Sequence, residues 1–439
     1  TNAFIGISNT GANTSTNIRY NNIRGIRFAA AGAHASTFTG IINSGAVNGP
    51  VNITNNNLGI LGTDLVTYAG ACSGLFRGIV NTAAGAAAAL SIASNDIRGV
   101  SHAVAGSSNH TYISNTAACP THSINLNTIT GATSTSGIIL GIDDSSASAN
   151  KSIANNTITT LSSTGNIVTG ISSSNGTAVS IGTNTITSIS STSATAASIV
   201  SGISVTGGTN ISITNNPIST LSSANNGSFR GIFVNPLGTA SITGNTINGM
   251  TSTSTGTGFS VRAIEVQGAN NATISTNTIS NINSPTTNVT AGLGIPIVGL
   301  YYGSTGASST ITGNTISAIN ATTAGIFNVS VAAIVTGTGG GGTIAKNRIY
   351  GLTNSKSGAT ANTVGFVPNG GNWTFANNMI SITNNNTVQA IGVFDAGAAG
   401  ARNYFYNSIY IGGTHAGTQV SNAFQFNNAG TGTTENKNN

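Results

Sequence analysis

Apolar and polar positions alternate in short stretches along most of the chain, and the same stretch returns at intervals. SIANNTITTLSS (152–163) recurs as SITNNPISTLSS (212–223), with Ile, Asn and Leu kept and the residues between them changed. A period of two residues is typical of β-strands that bury one face. Thr, Ile and Val favour strands, and Gly and Asn favour tight turns, so the pattern predicts an all-β fold.

One asparagine marks every repeat. It has Ile three residues before it in eleven of thirteen cases and Ile two residues after it in twelve. Successive asparagines are 28 to 39 residues apart, and a repeat that spans a whole sequence in this way predicts a solenoid. The repeat asparagines are Asn21, Asn56, Asn95, Asn127, Asn156, Asn184, Asn216, Asn245, Asn277, Asn314, Asn347, Asn378 and Asn407.

A second apolar mark, usually Gly-Ile, precedes each of these asparagines. Ile171 and Ile203 each lie 13 residues before the next repeat asparagine, whereas the distance from an asparagine to the following mark varies from 15 to 23 residues. We therefore predict three short strands per coil, a tight corner at the asparagine, and another corner that accepts insertions.

The repeat asparagine suits a tight corner for two reasons. Asn tolerates left-handed backbone angles, and its amide both donates and accepts hydrogen bonds. Coils stacked at the strand spacing of about 4.8 Å place these amides above one another. We expect the amides to bond along the stack and to satisfy turn groups that would otherwise be buried without partners.

Units such as SIANNTI, SIGTNTI, SITGNTI and TITGNTI resemble the right-handed parallel β-helix repeats of the pectate-lyase-like superfamily, which carry an asparagine ladder. The resemblance implies one continuous three-sided β-solenoid domain over residues 1–439, of about thirteen coils, with a polar tail at 427–439. We expect both ends to be uncapped, because neither contains a capping helix. The superfamily includes polysaccharide lyases, hydrolases, tailspikes, adhesins and structural surface proteins, so the resemblance leaves function open.

Charged residues are scarce. The chain has 13 basic and 7 acidic residues, scattered singly, so we expect no nucleic-acid partner. No apolar stretch approaches the ~20 residues of a membrane-spanning helix, and we expect no membrane insertion. Scarce Lys and Glu with abundant Asn, Ser and Thr favour an extracellular or cell-surface location. Cys72 and Cys119 have neither a metal-site spacing nor a disulfide framework.

Candidate catalytic residues are few. Asp143 and Asp144 are adjacent on a predicted first strand, where neighbouring side chains point to opposite faces, so a solvated strand end is the simpler interpretation. Arg230 and Arg262 share a register in successive units beside Glu265. That arrangement suits a sugar carboxylate and is equally typical of a weak surface charge pair. These five residues are weak glycan-site candidates, and we predict no enzymatic activity, no metal site and no cofactor.

Uncapped solenoid ends favour stacking of one copy on the next. Such a contact builds an open filament when its rotation does not close. We expect a secreted structural protein that forms a filament, a sheath or an adhesin stalk, with further copies of itself as the head-to-tail partner. Aromatic residues of the first and last units are candidate subunit contacts: Phe4, Tyr20, Tyr404, Tyr406, Phe424 and Phe426.

Two alternatives stay open. One is a carbohydrate-binding or carbohydrate-cleaving β-helix, of the lyase or hydrolase kind, that binds surface glycans on the first-strand face or its flanking loops. The other is an ice-binding β-solenoid. Paired hydroxyls after each corner, as in 128–130 and 157–159, resemble the flat face of such proteins. Thr is also the preferred solvated strand residue, and Pro217 and Arg348 interrupt the array.

Overall fold

The structure is a computed structural model, and its architecture follows the predicted repeat. The chain divides into two units, Thr1–Pro217 and Ile218–Asn439. Each unit is a right-handed parallel β-solenoid with three main sheets, and no helix occurs among the described residues, so the predicted fold class is confirmed. The structure describes residues 2–131, 135–193, 198–224, 227–255, 260–268, 271–286, 295–325, 330–357, 361–383, 388–397, 399–414, 420–427 and 434–437.

The first sheet of each unit takes one strand from every coil, in parallel register. Its strands in the first unit are Ala3–Asn9, Thr37–Asn43, Phe76–Asn81, His110–Asn115, Ile139–Asp144, Val168–Ser173 and Val200–Val205. In the second unit they are Ser228–Val234, Ser260–Val266, Ile297–Tyr302, Val331–Thr336, Asn362–Pro368, Gln389–Asp395 and Asn422–Phe426.

The second sheet follows the first after a short corner, again with parallel strands. In the first unit it contains Thr16–Arg19, Pro50–Thr54, Ala89–Ala93, Thr121–Asn125, Asn150–Ala154, Ala178–Gly182 and Asn210–Thr214. In the second unit it contains Thr239–Thr243, Asn271–Ser275, Ser309–Thr312, Gly341–Ala345, Asn372–Ala376, Arg402–Phe405 and Thr434–Lys437. The last of these strands belongs to the predicted polar tail, of which 428–433 and 438–439 lie outside the described residues.

The third sheet is the most interrupted. Its strands up to residue 191 are Asn22–Ile23, Asn57–Leu58, Asp96–Arg98, Thr128–Thr130, Thr157–Thr159, Ser162–Ser163, Thr185–Thr187 and Ser190–Ser191. Those from residue 217 onward are Pro217–Ser223, Thr246–Ser252, Thr278–Ser284, Thr315–Ser317, Ile319–Gly325, Arg348–Tyr350, Thr353–Lys356, Met379–Thr383 and Ser408–Gly412. A small fourth sheet in the first unit contains Ile26–Phe28, Val66–Tyr68 and Val100–His102.

Three inward apolar positions per coil build the core. In one coil they are Ile142, Ile153 and Ile158, one from each sheet, and all three are fully buried. The next coil aligns an isoleucine with each of them, so that the side chains form columns along the stack. Each such side chain contributes roughly 1.5–3 kcal/mol by its burial.

Asn156 shows the geometry of the asparagine ladder. Its Oδ1 accepts hydrogen bonds from the backbone N–H and the Nδ2 of Asn127, at 3.0 and 2.9 Å. Its Nδ2 donates to Asn184 Oδ1 and to the Ile124 carbonyl, both at 2.9 Å. Both protons and both lone pairs of the amide are therefore used. The pattern recurs along each unit, which confirms the predicted ladder.

The left-handed residue at each corner is the one before the ladder asparagine. Asn155 has φ 54° and Leu126 has φ 57°, whereas the asparagines that follow them do not have positive φ. The expectation that the ladder asparagine itself takes left-handed angles is wrong. Its N–H and its amide must both point along the stack, so the turn is made by the exposed neighbour, and these neighbours include large residues such as Tyr20 and Lys346.

We predict that Asn156→Ala lowers the free energy of unfolding by about 2–4 kcal/mol, because it leaves buried donors of Asn127 without an acceptor. Urea unfolding followed by circular dichroism measures the change. Asn125→Ala is the matched control, since its Oδ1 accepts only an exposed bond from Asn155. Equal losses in the two variants would contradict a special role for the ladder.

Candidate functional site

A second asparagine ladder lies at the end of the first-sheet strands in the first unit, and sequence analysis missed it. Each amide donates to the Oδ1 of the next, at 2.6, 2.7 and 2.9 Å along the series Asn9, Asn43, Asn81 and Asn115. The available signal was an Asn two residues after the first-strand Ile, as in IIN (41–43), IVN (79–81) and ISN (113–115).

This second ladder leads to a buried carboxylate. Asn115 Nδ2 donates to Asp144 Oδ1 at 3.3 Å, and Asp144 is fully buried. Its Oδ2 lies 2.7 Å from His122 Nε2, and its Oδ1 lies 3.5 Å from Lys151 Nζ. The Ser146 hydroxyl also donates to it, at 2.7 Å. Burial alone would raise the pKa of Asp144, but the hydrogen bond and charge of His122, with Lys151 and Ser146, hold that pKa below its ordinary value.

Asp143 and Asp144 do not form a site together. Asp143 is half-buried on the outer face between Ser114 and Ser172, and burial raises its pKa. Asp144 points inward. The interpretation of this pair as a solvated strand end therefore fails for Asp144, which is an interior residue bonded both to its own corner and to the preceding coil.

The second unit repeats this arrangement with other residues. Asp395 ends a first-sheet strand, and its Oδ2 accepts bonds from Arg402 Nε at 2.7 Å and from the Tyr404 hydroxyl at 2.8 Å. All three side chains are fully buried. Arg402 follows Asp395 by seven residues, as Lys151 follows Asp144. Burial and the neighbouring carboxylate raise the pKa of Tyr404.

Glu265 is the third buried carboxylate. It is 1% exposed, and its Oε2 accepts a bond from Arg230 Nε at 2.7 Å while its Oε1 contacts Arg262 Nη1. The two arginines are aligned in successive first-sheet strands, at the shared register that the sequence predicts. The guanidinium carbon of Arg230 lies 4.1 Å from the centroid of the Phe233 ring. That of Arg262 lies 3.9 Å from the centroid of the Tyr301 ring. The three charged groups thus form a largely desolvated cluster stacked on aromatic rings. The interpretation of these residues as a weak surface charge pair is wrong.

The first-sheet face beyond this cluster is apolar and closed. Val298, Ala332, Val364 and Ile391 continue the register of Arg262 through the next four strands, and each is at most 1% exposed. This column of the first-strand face is therefore apolar and buried in these coils.

Buried imidazoles form the other polar group of the first unit. His102 Nε2 and His110 Nε2 lie 3.0 Å apart, and the Tyr68 ring stacks on His102 at a centroid distance of 4.7 Å. The Nδ1 atoms of both histidines and the Tyr68 hydroxyl are buried and have no hydrogen-bond partner among the described residues. Burial lowers the pKa of His102 to about 4 and that of His110 to about 3. Both rings are therefore neutral near pH 7.

The candidate subunit contacts lie in different environments. Tyr404 is fully buried and is not part of the surface, while Tyr20 and Tyr406 are 76% and 59% exposed at their corners. Phe426 is 43% exposed, and Phe424 stacks on it at 6.0 Å. Phe4, partly buried, stacks on Phe38 at 5.4 Å in an aromatic column of the first sheet.

The outward hydroxyl columns of the third sheet are present, and their members bond one another. Thr159 Oγ1 donates to Thr130 Oγ1 at 3.2 Å, and the two residues are aligned in successive strands. Part of the hydroxyl surface is thus satisfied within the protein.

Cys72 and Cys119 are buried free thiols. No three His, Cys, Asp or Glu side chains of the described residues lie close enough together to hold a metal ion. The described chain has no helix that is long and apolar enough to cross a membrane. No family model matches the chain, and comparison with curated proteins and with solved structures likewise finds no significant match.

We predict that stability falls below pH 6.5, because the unfolded chain then protonates His102 and His110 while the folded chain keeps them neutral. Between pH 7 and pH 5 the contribution of His110 is a loss of about 2 kcal/mol. Urea unfolding at the two pH values measures it.

His110→Phe should remove that part of the loss, because the aligned residues of the two preceding coils are Phe38 and Phe76. An unchanged pH dependence in this variant would contradict the assignment.

Proposed function

We propose that the chain is a non-catalytic, extracellular structural protein, related to the non-enzymatic members of the pectate-lyase-like superfamily. In this proposal it stacks head to tail with further copies of itself into a filament, a sheath or an adhesin stalk. The observation that carries the proposal is the direction of the asparagine ladder.

Every ladder bond runs the same way. The Nδ2 of each asparagine donates to the Oδ1 of the next coil, so one edge of a coil presents ladder acceptors and the other presents donors. Asn21 donates to Asn56 Oδ1 at 2.8 Å in this same direction. A coil of a second copy that continues the ladder must have the same chain direction, which favours head-to-tail stacking over a two-fold contact.

The distribution of carboxylates also supports a structural role. Asp144, Glu265 and Asp395 are three of the seven acidic residues, and each is buried and bonded to a basic side chain. General acid–base catalysis needs a carboxyl group within reach of a substrate. Carboxylates that are enclosed in this way instead fix the register of their coils.

Low charge removes a barrier to assembly. A net charge of +6 over 439 residues gives little repulsion between copies. The charged residues are scattered along the chain and are not grouped into acidic or basic blocks. Ile5, on the strand Ala3–Asn9, is 54% exposed and in this proposal supplies apolar surface for a second copy.

We predict that the purified chain forms filaments in negative-stain electron microscopy. Ile5→Lys should leave discrete particles, because a charge beside an edge strand blocks pairing. Leu61→Lys, at a 90% exposed turn residue, is the control and should still form filaments. Discrete particles for the unsubstituted chain under all solution conditions would contradict the proposal.

A further inference from the structure

One open groove lies on the outer face of the third sheet in the second unit. It crosses the strands Arg348–Tyr350, Met379–Thr383 and Ser408–Gly412 and has a volume of about 420 Å³. Its outward side chains form two columns, which are Arg348, Met379 and Ser408 in the first and Tyr350, Ser381 and Tyr410 in the second.

Two tyrosines of the second column give the groove exposed aromatic surface. Tyr350 is 39% exposed and Tyr410 is 63% exposed, and Ser381 lies between them in the same column. Two coil spacings separate the tyrosines, which is about 10 Å. Met379, at 59% exposed, adds apolar surface beside Ser381.

The Tyr410 ring is held low over the sheet. A side-chain carbon on Gly412 would collide with the Tyr410 hydroxyl and ring, so the glycine leaves the room that the ring occupies. The guanidinium carbon of Arg348 lies 5.1 Å from the centroid of the Tyr350 ring. Each ring thus packs against a neighbour on the sheet, which reduces the side-chain entropy lost when a ligand binds.

We infer that this groove binds a neutral polysaccharide of pyranose sugars, laid along the stacking direction of the coils. A pyranose ring presents a face of C–H groups, which packs on an aromatic ring, and an edge of hydroxyl groups. Tyr350 and Tyr410 supply two such platforms at a separation that suits alternate sugars of an extended chain. Ser381, Ser408 and Arg348 supply hydrogen-bonding groups for the hydroxyl edges.

Other ligand classes fit the groove less well. Arg348 is the only charged side chain among the described residues that line the groove, which disfavours nucleic acid and strongly acidic polymers. The groove floor is a sheet face, whereas an added peptide strand joins a sheet at its edge and would lie beside the groove. The equivalent columns of preceding coils carry Thr278 with Ser280 and Thr315 with Ser317, and they lack aromatic platforms.

The inference does not require that copies of the chain stack, because the groove is built from side chains on an outer sheet face. Isothermal titration calorimetry with cellohexaose, laminarihexaose and mannohexaose tests it directly. We expect the chain to bind at least one of these neutral hexasaccharides. Tyr350→Ala and Tyr410→Ala should each raise the Kd about tenfold, since each removes one aromatic platform.

Tyr406→Asn is the matched control, because Tyr406 is about as exposed as Tyr410 but lies at a corner outside the groove, where asparagine accepts the left-handed angle. It should bind as the unsubstituted chain does. Tyr350→Phe should keep most of the affinity, and thermal unfolding should show that every variant folds. Absence of binding to all three hexasaccharides, or equal affinity in Tyr350→Ala, would overturn the inference.

Discussion

The buried side-chain amide at each corner is the interaction on which this fold depends. A coil can turn sharply between its second and third strands only if the backbone groups of the turn find partners inside the protein. Asn156 provides them by bonding to the coil before it and the coil after it at once. The corner is therefore stable only within a stack, and the spacing, register and direction of the coils all follow from that requirement.

The need to satisfy polar groups at the corners also explains why a chain with few charged residues buries some of them. Asp144 with Lys151, and Asp395 with Arg402, occupy the same corner of their coils, seven residues apart in both cases. A buried pair of this kind adds little net stability over an apolar pair, but either partner alone is strongly unfavourable. Such pairs specify which residues meet at a corner, and they leave little acid–base chemistry at the surface.

The main features of the fold could be predicted because Asn156 and Ile158 recur at fixed spacing and each has a single physical role. The second ladder was also present in the sequence, at Asn81 and Asn115, but its asparagines occur in only a few coils and end at an aspartate. The burial of Glu265 could not be predicted, because a carboxylate between two arginines is equally compatible with an exposed face. The groove depends on which residues align across coils of unequal length, and Tyr350 and Tyr410 lie 60 residues apart.

Hydrogen–deuterium exchange of the ladder amides tests the central claim most directly. The backbone N–H groups of Asn127 and Asn156 donate to side-chain oxygens of the following coil, and no secondary-structure bond protects them. If the ladder holds the stack together, these N–H groups exchange only on global unfolding, as slowly as the N–H of a fully buried strand residue such as Ile153. Exchange as fast as that of exposed loop amides would contradict the account.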